Sequence, residues 1–187
     1  MKRPFFLIAL CALPILVSAQ SDESQVKAMV NATRDRMARQ NDVWFRDGDF
    51  LPIIQSQSVM AEVDPKDEET WSNLEWMYFN VENIGMQWWV CREFRENNPT
   101  YADAPYYEAK LFYLKKLYAK VPALLEPVIG LTPPPAPNSF RFLAHSYEKM
   151  GYYEDALRVW DKYLTLFPKD PQAKNNRSKV AKILDKK

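Results

Sequence analysis

The 187-residue chain is poor in the residues that chemistry most often needs. It holds one histidine, two cysteines and four glycines. Four scattered glycines cannot form a Gly-rich loop that cradles a phosphate. The lone His145 and the distant cysteines leave no cluster with metal-ligand spacing, so neither a zinc site nor any cofactor is expected. Asp47-Gly48-Asp49 resembles the opening of a calcium loop, but the further oxygen ligands and the closing glutamate are missing. A surplus of one charge is missing too. Twenty-five basic side chains stand against 24 acidic ones, which gives no general pull toward nucleic acid or an anionic membrane.

Long apolar runs are confined to the N-terminus. MKRPFFLIALCALPILVSAQ begins with Lys2 and Arg3, continues through an apolar run from Phe5 to Val17, and offers Val17-Ser18-Ala19 before Gln20. This is the pattern of a secretory signal peptide over residues 1–19. The run is shorter than the ~20 residues a bilayer span requires. Cys11 follows Leu10 in mid-run, where a lipoprotein signal does not place its cysteine. The mature chain, residues 20–187, is expected to be a single exported domain, periplasmic or extracellular, with no transmembrane segment. It keeps only Cys91, so it has no internal disulfide and rests on packing.

What the chain does have is phase. Pro65, Pro99, Pro133 and Pro168 are spaced 34, 34 and 35 residues apart. A fixed period of this size signals a repeat architecture. In SFRFLAHSYEKMGYYEDALRVWDKYLTLFPKDP, Phe140, Leu143, Ala144 and Tyr147 fall on one helical face. Gly151 then breaks the helix, and Ala156, Trp160 and Tyr163 line a second helix that stops before Pro168. Trp71, Leu74 and Tyr78 open an earlier copy closed by Pro99. That copy places the large polar Glu75 and Gln87 where small residues are expected. The copy ending at Pro65 has Gly48 and Phe50 at its turn. The copy ending at Pro133 has Ala109 and Phe112, but Pro105 opens it, and Pro122 and Pro127 predict a shortened second helix. Asp170-Pro171 reads as the N-cap and first-turn proline of a last helix. That helix carries Val180, Ile183 and Leu184 as an apolar stripe among charged residues.

These copies resemble the tetratricopeptide repeat, whose pattern is W-x2-L-G-x2-Y, then A-x3-F, then P. The resemblance covers residues 34–170. It implies an all-α solenoid of antiparallel helix pairs in a right-handed superhelix, with repeats at about 34–67, 68–101, 102–136 and 137–170. A capping helix follows at 171–185. It also implies a function: an exported scaffold, not an enzyme, that takes a peptide or protein segment in the concave groove lined by the first helix of each pair. Counting from the packing tyrosine of each copy, the groove residues are Phe45 and Arg46, then Trp76, Phe79 and Asn80. Tyr106, Lys110 and Tyr113 follow, with Leu114 beside them, then Arg141, His145 and Lys149. The resulting surface is aromatic in the middle and basic toward the C-terminal end. A partner with an apolar side chain and an acidic group complements it. Ala38 and Asp42 stand where a carboxylate clamp needs a basic and an amide group.

Three other readings compete. The aromatics Trp76, Phe79 and Tyr113 could stack on a cell-envelope sugar or other small ligand. Trp89, left on the outer flank of its pair, could join two copies into a homo-oligomer. Cys91 and His145 could form a nucleophile pair, although Cys91 falls on an inward helical face, where a lone cysteine usually acts as a small hydrophobe.

Overall fold

The computed structural model describes residues 19–186; the expected leader lies outside the described residues except for Ala19. The chain divides into two compact units at Gln40 and Asn41. Helix α1, Ala19–Asp47, runs through the boundary. In the first unit its described side chains are mostly exposed, Val26 and Met29 among them. No helix among the described residues is long and apolar enough to cross a membrane.

The second unit holds the end of α1 and, among the described residues, eight further α-helices. These are α2 Phe50–Val63, α3 Glu68–Asn80, α4 Ile84–Asn97, α5 Tyr106–Leu114, α6 Val121–Leu125, α7 Pro137–Met150, α8 Tyr153–Leu166 and α9 Pro171–Leu184; a 3-10 turn, Tyr118–Lys120, precedes α6. Helices α3 and α4 pack as a pair, α7 packs on α8, and α8 on α9. Helix α5 packs on α6 and also on α7, so the first helices of the last two pairs are neighbours.

The last pair shows why these residues fold this way. Pro137 occupies the first turn of α7, where its missing N–H costs nothing. Phe140, Leu143 and Ala144 are fully buried, and Tyr147 nearly so. Gly151 ends the helix in a left-handed conformation at φ +80°. Across the turn, Ala156, Val159, Trp160 and Tyr163 form the inward face of α8. Burying a side chain as large as Trp160 stabilises the fold by roughly 2–3 kcal/mol. Its indole Nε1 donates to Glu148 Oε1 at 2.8 Å, so no polar atom is stranded. Asp170 then caps α9, accepting from the backbone N–H groups of Gln172 (2.9 Å) and Ala173 (3.1 Å). Val180 of the final stripe is buried, whereas Ile183 is 39% exposed.

The turns inside the pairs repeat a backbone conformation. Gly48, Glu82, Lys116 and Gly151 all have positive φ, at 76°, 55°, 60° and 80°. Their spacings of 34, 34 and 35 match those of the prolines. Two of the four are not glycine, so the fold tolerates a left-handed residue that carries a Cβ.

The third pair is shortened as expected. Pro122 sits in the first turn of α6, and the helix ends at Leu125, two residues before Pro127. The buried apolar side chains form two clusters, and α6 belongs to the second of them. One gathers Ile53, Trp71, Leu74, Val90 and Phe94 from α2–α4, with Ala104. The other gathers Ala109, Val121, Leu125, Leu143, Trp160 and Val180 from α5–α9.

Candidate functional site

The expected groove residues fall on the first helices of the pairs within the second unit, and they divide into two kinds. The apolar ones are available. Phe79 is 62% exposed, Leu114 61%, and Phe45 and Trp76 44% each. Phe45 and Trp76 stack at 5.4 Å between ring centroids, with Phe50 behind Phe45 at 5.8 Å. Phe79 has no ring partner among the described residues. Further along, Tyr113 meets Phe142 at 4.9 Å and Tyr118 at 5.3 Å, and Tyr106 meets Phe142 at 5.8 Å. Phe142 was not among the residues expected here. It stands three residues before His145 and seven before Lys149, so its spacing puts it on the same helical face as those expected residues.

The polar ones are mostly committed to the fold. Arg46 Nε donates to the carbonyl of Asp42 at 3.0 Å, and Asn80 Nδ2 to that of Trp76 at 2.6 Å, each within its own helix. Lys110 donates to Glu75 Oε2 at 3.3 Å. Arg141 donates through Nη2 to Asp170 Oδ2 (2.6 Å) and Tyr163 Oη (3.0 Å), and through Nη1 to Asn138 (3.1 Å). It braces the α7–α9 corner instead of facing a ligand. The Tyr163 hydroxyl and Arg141 together hold the Asp170 carboxyl well below the usual carboxylate range. His145 Nδ1 faces Glu148 Oε1 at 3.3 Å, and its ring stands edge-on to Trp160 at 5.1 Å. Burial opposes ionisation of Glu148, but hydrogen bonds from His145 and Trp160 outweigh it and hold that carboxyl low. Lys149 is exposed.

Three solvent-open clefts of about 580, 430 and 340 Å³ share Tyr101, in the loop between α4 and α5, and the third also takes in Tyr106 of the expected row. There the hydroxyls of Tyr101 and Tyr107 both donate to the Glu68 carboxylate, the second at 2.8 Å. The aromatic side chains Phe45, Trp76 and Phe79 of the first helices are open to solvent.

Cys91 is fully buried. Burial pushes its thiol far above its ordinary value, and the carboxylate of Glu75 adds to the effect. It is a protonated thiol at neutral pH, and His145 is occupied by Glu148 and Trp160. Trp89 is 44% exposed and has no ring contact among the described residues.

Stacked antiparallel pairs, a turn repeated every 34 residues and a terminal polar helix define a tetratricopeptide-repeat solenoid. Solved structures agree with that fold. A MamA RS-1 double mutant superposes with a TM-score of 0.62 at 16% identity, covering 83% of this chain and 85% of that one. Another MamA crystal structure gives 0.58 at 20% identity over 83% and 90%. TTC0263, a thermophilic tetratricopeptide-repeat protein of Thermus thermophilus, gives 0.56 at 16% identity over 87% and 93%. No protein-family model and no curated protein matches the sequence.

Proposed function

We propose that the chain is a protein-interaction scaffold that takes a peptide or protein segment against the face lined by α3, α5 and α7 and the end of α1. The observation that carries the reading is the run of exposed apolar side chains on that face: Phe45, Trp76, Phe79 and Leu114. Exposed aromatics of this kind supply most of the energy of a protein interface. They sit in a fold whose first helices line a concave surface. The inward burial of Cys91 and the engagement of His145 favour a scaffold over an enzyme.

The test is affinity capture from the native extract with the wild-type chain and the double variant Trp76→Ala/Phe79→Ala. Both residues are substantially exposed, so the variant is expected to fold. Loss of the captured partners supports the reading, and full retention of every partner overturns it. We further propose that the protein is exported. Residues 1–19 support this reading, and N-terminal sequencing of the cellular protein tests it. A chain starting near Gln20 agrees, and one retaining Met1 or Lys2 does not.

A further inference from the structure

The end of α5 carries an unusual combination of charge and apolar surface. From Ala109 to Leu125 the sequence contains four lysines and no acidic residue, in a chain whose charges are otherwise nearly balanced. Lys110 is used internally, on Glu75. Lys115, Lys116 and Lys120 are exposed and make no ion pair among the described residues. The carboxylates nearest in sequence are already taken. Glu108 accepts from Arg95 at 2.7 Å, and Glu126 accepts from Arg158 at 2.5 Å and Tyr147 at 2.7 Å. Leu114 at 61% and Leu117 at 49% exposure lie among these lysines.

Two of these lysines also have fixed backbone positions. Lys115 is the C-cap of α5, and Lys116 holds the left-handed turn at φ 60°. Leu114 lies one helical turn beyond Lys110 on α5, so the basic shelf begins where the expected first-helix row of that pair ends. Lys149, at the end of the adjacent α7, adds a further exposed cation.

From this charge complementarity we propose that Lys115, Lys116 and Lys120 form a docking shelf for the acidic flank of a partner peptide, whose apolar side chains seat beside Leu114 and Leu117. This rests on the groove reading above and specifies the partner: a segment with apolar anchors followed by aspartate or glutamate. A protein segment fits better than a bilayer because the shelf joins the side-chain row of a helix groove. Opposite charges placed along such a groove set register and on-rate, and their effect is screened by salt.

The experiment uses the full chain and a fluorescein-labelled synthetic peptide with two leucines and a tryptophan followed by four glutamates. Its twin carries glutamine at the four acidic positions. Vesicles of phosphatidylcholine with phosphatidylglycerol serve as a third probe. The acidic peptide is expected to bind about tenfold more tightly than its twin at low salt, and the difference is expected to shrink as salt rises. The charge reversal Lys115→Glu/Lys116→Glu/Lys120→Glu should remove the difference. The equal reversal Lys174→Glu/Lys179→Glu/Lys182→Glu on α9 should not.

Equal binding of the two peptides, binding of neither, or an acidic preference that survives the α5 reversal overturns the proposal. So does capture of the vesicles together with a failure to prefer the acidic peptide. Trp76→Ala/Phe79→Ala separates the two readings. If it leaves both peptide affinities unchanged while the α5 reversal removes the acidic preference, the groove reading fails and the shelf stands.

Discussion

Gln87 donates a hydrogen bond of 2.6 Å from Nε2 to Glu75 Oε1, between the two helices of the α3–α4 pair. Both side chains are buried, at 5% and 6% exposure. The corresponding positions of the α7–α8 pair hold Ala144 and Ala156, each with no exposure. One pair is therefore closed by two methyl groups and the other by a polar bridge, which Lys110 of α5 extends to the next pair.

Removing half of that bridge leaves a buried carboxylate short of a donor. Gln87→Ala is expected to destabilise the protein by about 1–3 kcal/mol. Glu75→Ala should cost a similar amount, and the double variant less than their sum, with a coupling of at least ~0.5 kcal/mol. Urea denaturation of the four-member cycle measures this. Strict additivity would show that the bond contributes no pairwise energy.

The left-handed turns give a prediction of opposite sign. Glu82 holds φ 55° with a full side chain. Glu82→Gly is expected to stabilise by about 1 kcal/mol, because glycine relieves the Cβ contact. Gly151→Ala should destabilise by about the same amount. A Cβ there meets nothing within 4 Å, so the cost is that of the backbone alone. Thermal melts that move both variants the same way would contradict this account.

Acid should loosen the C-terminal corner. Asp170 titrates lower in the folded chain than in the unfolded one, where an aspartate titrates near ~3.9. Its contribution is complete above the unfolded value and is lost as pH falls through the folded one. Asp170→Asn should flatten the acid limb of the stability profile. Asp170→Ala also loses the cap of α9 and should cost ~1 kcal/mol or more at pH 7. Denaturant midpoints between pH 2 and pH 7 provide the check.

A thiol reagent distinguishes a packed Cys91 from a reactive one. Buried and held protonated, it should label only when the chain unfolds, with a rate that follows global opening. Stoichiometric labelling of the native protein within seconds would reopen the nucleophile reading.

The features legible in the sequence were those written in single residues with fixed backbone consequences. The phased prolines, Gly48 and Gly151 at turns, Asp170 before Pro171, and the inward faces of α7 and α8 all belong to this group. The shortening of α6 followed from Pro122 and Pro127 in the same way. Pairings were not legible. Glu75 and Gln87 stood out as misfits, but their bond depends on how two helices cross, which no local pattern encodes. The turns at Glu82 and Lys116 carried no glycine to mark them. Arg141 was expected on the groove because its helical phase points there. Its length lets it reach Asp170 and Tyr163 across the corner, and the helical count takes no account of reach.

The division of the core has a wider consequence. A solenoid holds together through neighbour-to-neighbour contact, so the boundary between α4 and α5, where one core cluster ends and the other begins, is a weak seam in its cooperativity. The α2–α4 and α5–α9 blocks are then free to open with different free energies, which native-state hydrogen exchange would resolve as two protection levels. A segment bound to Trp76 on one side and Leu114 on the other would span the seam. Its binding energy would couple the two blocks, and occupancy would be read as cooperativity.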